Sequence, residues 1–294
     1  MKNFFTYIIK IILVCILMLA VLDIVYTFAF ENCIPRNKLQ FTLKTNNKKY
    51  TNVFVGSSRV ANHIDVKYLD SISGGKNLNL GVEGATYGDN LLMLKLFIEN
   101  GNKMDRIFLQ LDHFYEQNEM AAIANSDALP FIRNTIVKEH FKKYDTQFNA
   151  YYYYPFYRYQ SADFKIGFRE FFMSAINKKP RIDMNYGYIP KFEKSDLTVY
   201  ERFPNTVTEK NVFVEEIIDL CMERKIKLIL FCAPFCSYTK DFTYIHKLKI
   251  KFPLLNDYST SIKDTDFSNC SHLNNNGAKI FTHLIFEKHL KNEY

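Results

Sequence analysis

The chain predicts an α/β fold, a three-layer α/β/α sandwich on a parallel sheet, from three observations. Short apolar runs bounded by turns alternate with helical stretches over residues 52–112 and again from Val212 onward. A long apolar stretch, Phe4 to Phe30, precedes them and predicts a transmembrane helix. An aromatic-rich insertion, residues 113–205, interrupts the alternation.

The N-terminal stretch is broken only by Lys10, Asp23 and a few small polar or Tyr positions. Its uncharged centre, Ile11 to Leu22, would alone suit a signal-peptide core. Apolar residues resume after Asp23, however, and no small-x-small cleavage site follows. Residues 1–30 therefore read as an uncleaved signal anchor, with Lys10 snorkelling and Asp23 near the far interface. Lys2 and Lys10 lie on the N-terminal side and Glu31 beyond the other end, so the N-terminus is expected in the cytoplasm and the rest outside. Residues 31–50 read as a polar linker, with Pro35 and the Asn/Lys-rich run Lys44 to Lys49. The main domain is then 51–294.

Asn52 to Val55 reads as the first strand, ending at Gly56-Ser57-Ser58-Arg59, with a helix following toward Leu69. Asn77 to Gly81 reads as a second short strand. Gly84 to Asp89 forms a turn, and Leu91 to Ile98 supplies a buried helix face that stops at Gly101. Arg106 to Leu111 is the third strand. After the insertion, Val212 to Arg224 has helical spacing of apolar residues, Lys227 to Phe235 is a strongly apolar strand, and about Asn275 to Lys291 is a last helix. In such sheets ligands bind at the C-terminal strand edges, where Ser58, Gly84, Asp112 and the segment after Pro234 would lie. The insertion carries the run Tyr151 to Tyr159. Its aromatic rings suit packing of a cap onto the core, a sugar-stacking wall, or a membrane-facing rim.

Composition narrows the function. The net charge of +7 comes from scattered Lys, with no dense Lys/Arg block, so no nucleic-acid partner is expected. Charged residues make up 23%, which argues against wholesale disorder. No zinc spacing, P-loop or dinucleotide fingerprint occurs, so neither metal nor cofactor is expected. Cys15 lies in the membrane stretch, leaving Cys33, Cys221, Cys232, Cys236 and Cys270. An odd number leaves at least one free, and these Cys read mostly as buried small apolar residues. A Cys232–Cys236 bridge is left open.

Two segments can carry chemistry. Val53-Phe54-Val55-Gly56-Ser57-Ser58-Arg59 is a strand running into a tight turn with hydroxyls at its end. Asn269-Cys270-Ser271-His272-Leu273-Asn274 places a His just before the last helix. A strand-end Ser is a nucleophile only if a base takes its proton, and a doubly wound sheet can bring His272 to it. Arg59 could neutralise an acidic substrate. Asp112 and His113 are further substrate-contact candidates. His63 and Asp65 fit a structural helix start better than a site.

With these residues the chain resembles the SGNH (GDSL-like) hydrolase family, in its membrane-anchored exported branch. Gly56-Ser57-Ser58 matches the first block, with Ser57 in place of the usual Asp. Asn79-Leu80-Gly81-Val82-Glu83-Gly84 matches the second, and His272-Leu273-Asn274 with Gly277-Ala278 matches the last. The resemblance covers roughly 52–112 and 208–290. It implies a flavodoxin-like sandwich with Ser58 as nucleophile and His272 as base. The backbone N–H groups of Ser58 and Gly84 would bind the oxyanion. The usual Asp of Asp-x-x-His falls on Asn269, and Asp266, six residues before His272, is the alternative orienting group. Gln110-Leu111-Asp112-His113 stands where Gly-x-Asn-Asp is usual. The function so implied is an exported, membrane-tethered serine esterase or O-acyltransferase. Its substrate would be acyl groups, acetyl foremost, of a cell-envelope or secreted polysaccharide or other acylated glycan. The competing reading is a catalytically weakened SGNH-like binding protein within an envelope polysaccharide assembly.

Overall fold

The computed structural model describes residues 2–121, 125–192, 197 and 202–291. The described helices are α1 (Lys2–Asn32), α2 (Lys38–Lys44), α3 (Ser58–His63), α4 (Val66–Ser73), α5 (Tyr87–Glu99), α6 (Thr135–Tyr144), α7 (Phe148–Tyr153), α8 (Tyr157–Ser161), α9 (Asp163–Ile166), α10 (Phe168–Ala175), α11 (Val212–Glu223), α12 (Thr243–Lys251) and α13 (Asn275–His289). The strands are β1 (Lys49–Val55), β2 (Asn77–Asn79), β3 (Lys103–Gln110), β4 (Lys227–Cys232), β5 (Asn256–Asp257), β6 (Phe267–Asn269) and β7 (His272–Leu273). The chain forms two compact units, 1–40 with 125–180 and 41–124 with 181–294.

The larger unit is an α/β domain around a five-stranded sheet of order β2-β1-β3-β4-β5, parallel throughout. The central strands are apolar on both faces because helices cover both. Val53, Phe54 and Val55 of β1, Ile107 and Leu109 of β3 and Phe231 of β4 are fully buried. Phe54 and Phe108 stack at 4.7 Å between neighbouring strands. Each such side chain stabilises the fold by about 1.5–3 kcal/mol. The strand order reverses between β1 and β3, and the carboxyl ends of these strands flank the crevice where doubly wound sheets place a ligand.

Among the described residues, β5, α12, β6 and β7 were not foreseen. β5 is two polar residues and α12 has weak periodicity, so neither stands out as a pattern. β6 and β7 form a small antiparallel hairpin ahead of α13. The stretch read as a linker, 31–50, holds α2 and the start of β1, and Asn100 donates to the carbonyls of Thr42 and Leu43.

In the smaller unit, α1 is long and apolar enough to cross a membrane. Its last turns pack on residues 156–171. Arg158 Nη2 meets Asp23 Oδ1 at 2.8 Å, and the Phe156 N–H donates to Asp23 Oδ2 at 2.9 Å. Tyr26 stacks on Phe171 at 4.0 Å, and Thr27 shares a hydrogen bond with Tyr159. Asp23, the one acidic residue within the apolar stretch, is thus buried and paired. The interval expected as one insertion is also divided: 125–180 groups with α1, while 113–124 and 181–205 belong to the sheet unit.

Candidate active site

The first segment of the site is built by close packing at the end of β1. A Cβ on Gly56 would lie 2.5 Å from Val60 Cγ2 and 2.6 Å from Gln110 Oε1, so only glycine lets the chain turn here. Gln110, at the end of β3, accepts from both the N–H and the hydroxyl of Ser57 at 3.0 Å. Ser57 is the N-cap of α3, and Ser58 is its first residue, half-buried and open to the crevice. The Val82 N–H donates to the Gly56 carbonyl at 3.0 Å, which pins the loop carrying Gly84 to the serine turn. Gly84 lies exposed in that loop at φ +77°, a left-handed conformation suited to glycine.

The second segment is the β6–β7 hairpin. His272 Nε2 lies 2.8 Å from Ser58 Oγ, and His272 Nδ1 lies 3.0 Å from Asn269 Oδ1. The same Asn269 oxygen accepts the Ser271 backbone N–H at 3.0 Å. A backbone N–H can only donate, so the atom it meets is the amide oxygen, and Nδ1 must then carry the imidazole proton. The lone pair of Nε2 is left facing the Ser58 hydroxyl. Ser58, His272 and Asn269 therefore form one connected hydrogen-bonded chain, the geometry that a nucleophile, its base and an orienting group require.

Other candidate residues lie elsewhere. Asp266 is not at Nδ1: its carboxylate accepts from Asn276 Nδ2 at 2.7 Å and its carbonyl accepts the Asn274 N–H, so it shapes the start of α13. Arg59 is not a substrate contact. It is 2% exposed, donates to the carbonyls of Ala233 and Pro234 at 2.9 and 2.7 Å, and lies 3.3 Å over the Phe235 ring. Asp112 is wholly buried, held by Gln110 Nε2 at 2.5 Å, the Phe114 N–H at 3.1 Å and Arg59 Nη1 at 3.4 Å. Its carboxylate is thus turned inward onto protein donors instead of standing open as a substrate contact. His113 packs among Phe114, Phe203 and Phe235 rather than lining the crevice.

Three further contributors support the site, of which His63 was read from the sequence as structural. His63 is buried, and its Nε2 accepts the Leu273 N–H at 3.1 Å, fastening the residue after His272 to α3. Burial first, then the Arg59 and His272 charges, hold its imidazole well below the ordinary range, so it stays neutral and able to accept. Cys236 and Cys270 form a disulfide, tying the segment after β4 to the hairpin; a Cys232–Cys236 bridge does not form, and Cys232 is a buried free thiol. Glu83, next to Gly84, pairs with Lys191 at 2.9 Å and accepts from Asn62. Burial pushes the Glu83 carboxyl up, but the Lys191 and Asn62 contacts and the nearby His272 charge hold it below its usual value. Position two residues before His272 was the available clue for Cys270; the others depend on contacts between distant segments. Among the described residues no group of three His, Cys, Asp or Glu side chains is arranged to hold a metal ion.

No protein-family model matches the chain, and no curated protein matches it. The solved structure of BT4096, a gut microbial diltiazem-metabolizing enzyme, aligns with 84% of this chain at 12% identity and a TM-score of 0.28. The chain spans about half, 48%, of that protein's length. A likeness this low carries no argument about activity, which rests on the site alone.

Proposed function

We propose that the protein is an exported, membrane-tethered serine esterase or O-acyltransferase of the SGNH type. The observation that carries this reading is the linked arrangement of Ser58 Oγ, His272 Nε2 and Asn269 Oδ1, at 2.8 and 3.0 Å, at the sheet's switch point. Ser58 Oγ attacks an acyl carbonyl while His272 Nε2 takes the hydroxyl proton. The backbone N–H groups of Ser58 and Gly84 hold the oxyanion. Collapse of the tetrahedral intermediate breaks the acyl–oxygen bond, and His272 returns its proton to the leaving alcohol. Water in hydrolysis, or a sugar hydroxyl in transfer, then gives its proton to Nε2, attacks the acyl-serine and releases Ser58. The resemblance and the apolar α1 favour acetyl groups of a cell-envelope or secreted polysaccharide as substrate. The Cys236–Cys270 disulfide supports an oxidising, extracytoplasmic location for the domain.

One observation favours the alternative, a binding partner of an envelope assembly. The group at His272 Nδ1 is a neutral amide, which orients the imidazole without stabilising its charged form. The test is hydrolysis of p-nitrophenyl acetate by the full chain in detergent, alongside Ser58→Ala and His272→Ala. Turnover by the wild type that falls to background in both variants supports the enzyme. Equal rates in all three remove simple esterase activity and leave the binding reading in front.

A further inference from the structure

The smaller unit displays large apolar side chains, mostly aromatic, that stay about half or more exposed. Tyr153, Tyr154, Phe164, Phe168, Phe172 and Ile176 are between 49% and 69% exposed, a concentration unusual on a surface that faces only water. Their height relative to α1 can be read from the contacts within the unit. At 1.5 Å per residue, the 31 residues of α1 run about 46 Å, against about 30 Å for a bilayer's hydrocarbon core. The residues from Phe4 to about Asp23 already span that core, so the last turns stand at the headgroup level. Those turns hold the rest of the unit: Asp23 grips Arg158 and the Phe156 N–H, Tyr26 stacks on Phe171, and Thr27 bonds Tyr159. The opposite face of the same turns stays apolar and open, with Ile24 and Phe28 each 67% exposed.

We infer that residues 148–176 form a second membrane contact, lying in the headgroup zone of the bilayer beside α1. This rests on α1 crossing the membrane. Tyr and Phe rings suit that zone, where one end of a side chain meets hydrocarbon and the other meets water. α10 presents Phe168 and Phe172 four residues apart, on one face, while Phe171 turns to Tyr26. Arg169, Lys178 and Lys179 are exposed nearby and match anionic headgroups. The acidic groups are mostly spent internally: Glu170 pairs with Arg36 and Asp127 with Lys165, while Asp163 remains exposed. The pairing of Asp23 with Arg158 also removes a lone carboxylate from the membrane boundary, where it would be costly. The consequence is a tether fixed at two places rather than a free stalk.

The chain contains no Trp, so single Trp reporters need no background removal. The full chain is reconstituted in vesicles of phosphatidylcholine and phosphatidylglycerol as Leu17→Trp, Phe168→Trp, Phe172→Trp and Ile250→Trp, with circular dichroism matched to the wild type. Acyl chains are brominated either near the headgroup or near the bilayer centre. Leu17→Trp, on α1, reports the anchor, and Ile250→Trp, 79% exposed on α12, reports water. The expected result is strong quenching of Leu17→Trp by deep bromines and of Phe168→Trp and Phe172→Trp by shallow ones, with Ile250→Trp unaffected. If both Phe variants behave like Ile250→Trp while Leu17→Trp is quenched, the inference is overturned and the anchor stands; a second copy or a protein partner then covers the rings. If Leu17→Trp is itself unquenched, the anchor fails and the inference with it.

Discussion

Asn269 presents one amide oxygen to two donors, the Ser271 backbone N–H and His272 Nδ1, both at 3.0 Å. That sharing fixes the tautomer of His272 without a carboxylate. An isosteric Asp at this position would keep both contacts and add a charge opposite the imidazolium. Asn269→Asp is therefore expected to raise kcat on p-nitrophenyl acetate about tenfold or more, below the ~10⁴ that the charge is worth in serine proteases. Asn269→Ala frees the ring and is expected to lower kcat about 10²-fold, the usual cost of misplacing a catalytic group by an ångström. An Asp variant no faster than the wild type would mean that imidazolium charge does not limit the rate.

Arg59 and Asp112 form a buried pair one residue beyond Ser58. Removing Arg59 takes the guanidinium from the buried Asp112 carboxylate and the guanidinium donor from the Ala233 and Pro234 carbonyls. Arg59→Ala is expected to cost about 3–5 kcal/mol of stability, as breaking buried pairs does. Asp112→Asn, which keeps the shape and loses the charge, should cost less. Guanidinium unfolding of both variants checks this. A raised KM with unchanged unfolding midpoint in Arg59→Ala would instead restore Arg59 as a substrate contact.

The Cys236–Cys270 bridge joins positions 34 residues apart and sits beside Asn269 and His272. Constraining a loop of that length stabilises the native state by about 4 kcal/mol in the chain-entropy picture. Cys236→Ser with Cys270→Ser is expected to lower the unfolding midpoint accordingly and to loosen the hairpin that aims His272. Thiol titration of the denatured wild type should find four reactive groups among its six Cys. Six would mean that the bridge does not form in the cell that makes the protein.

How far these features could be read from the residues alone depended on whether their cause was local. β1, β3 and β4 stood out because burial on both faces makes continuous apolar runs, and their ends located Ser58. β5, Asn256–Asp257, is held by pairing with β4 and has no pattern of its own. Ser58 and His272 were singled out through ordered blocks, and the hairpin brings Asn269 rather than Asp266 to His272 Nδ1 because three residues, not six, bring a side chain under the ring. Arg59 reads from the sequence as a substrate contact since arginine is seldom buried. Only the meeting of the β1 turn with the carbonyls after β4 makes a buried arginine the better solution. The disulfide escaped for the same reason, since pairing across 34 residues is a property of the fold.

His63 is one source of the pH dependence expected of the sheet unit. Its folded imidazole titrates well below the ordinary value, chiefly through burial. Below about pH 6.5 the unfolded chain binds a proton at this residue that the folded chain refuses, so stability is full above that pH and falls as the medium becomes more acidic. His289, held down to about 4 by burial and then by Lys288, Lys227 and Arg106, acts in the same direction. Asp89 opposes them. Burial raises it to about 7, so the folded form keeps a proton that the unfolded carboxyl loses from about pH 4, and its contribution is lost as pH rises. Comparing variants separates these effects. His63→Gln leaves a carbonyl able to accept the Leu273 N–H but nothing to protonate. The variant is expected to lose less Tm than the wild type between pH 7.5 and 5.5, while its Tm at pH 7.5 changes little. Equal slopes in the two proteins would mean that His63 does not carry the acid sensitivity. A large loss at pH 7.5 would show that the imidazole's shape, rather than its neutrality, holds the His272 hairpin to α3.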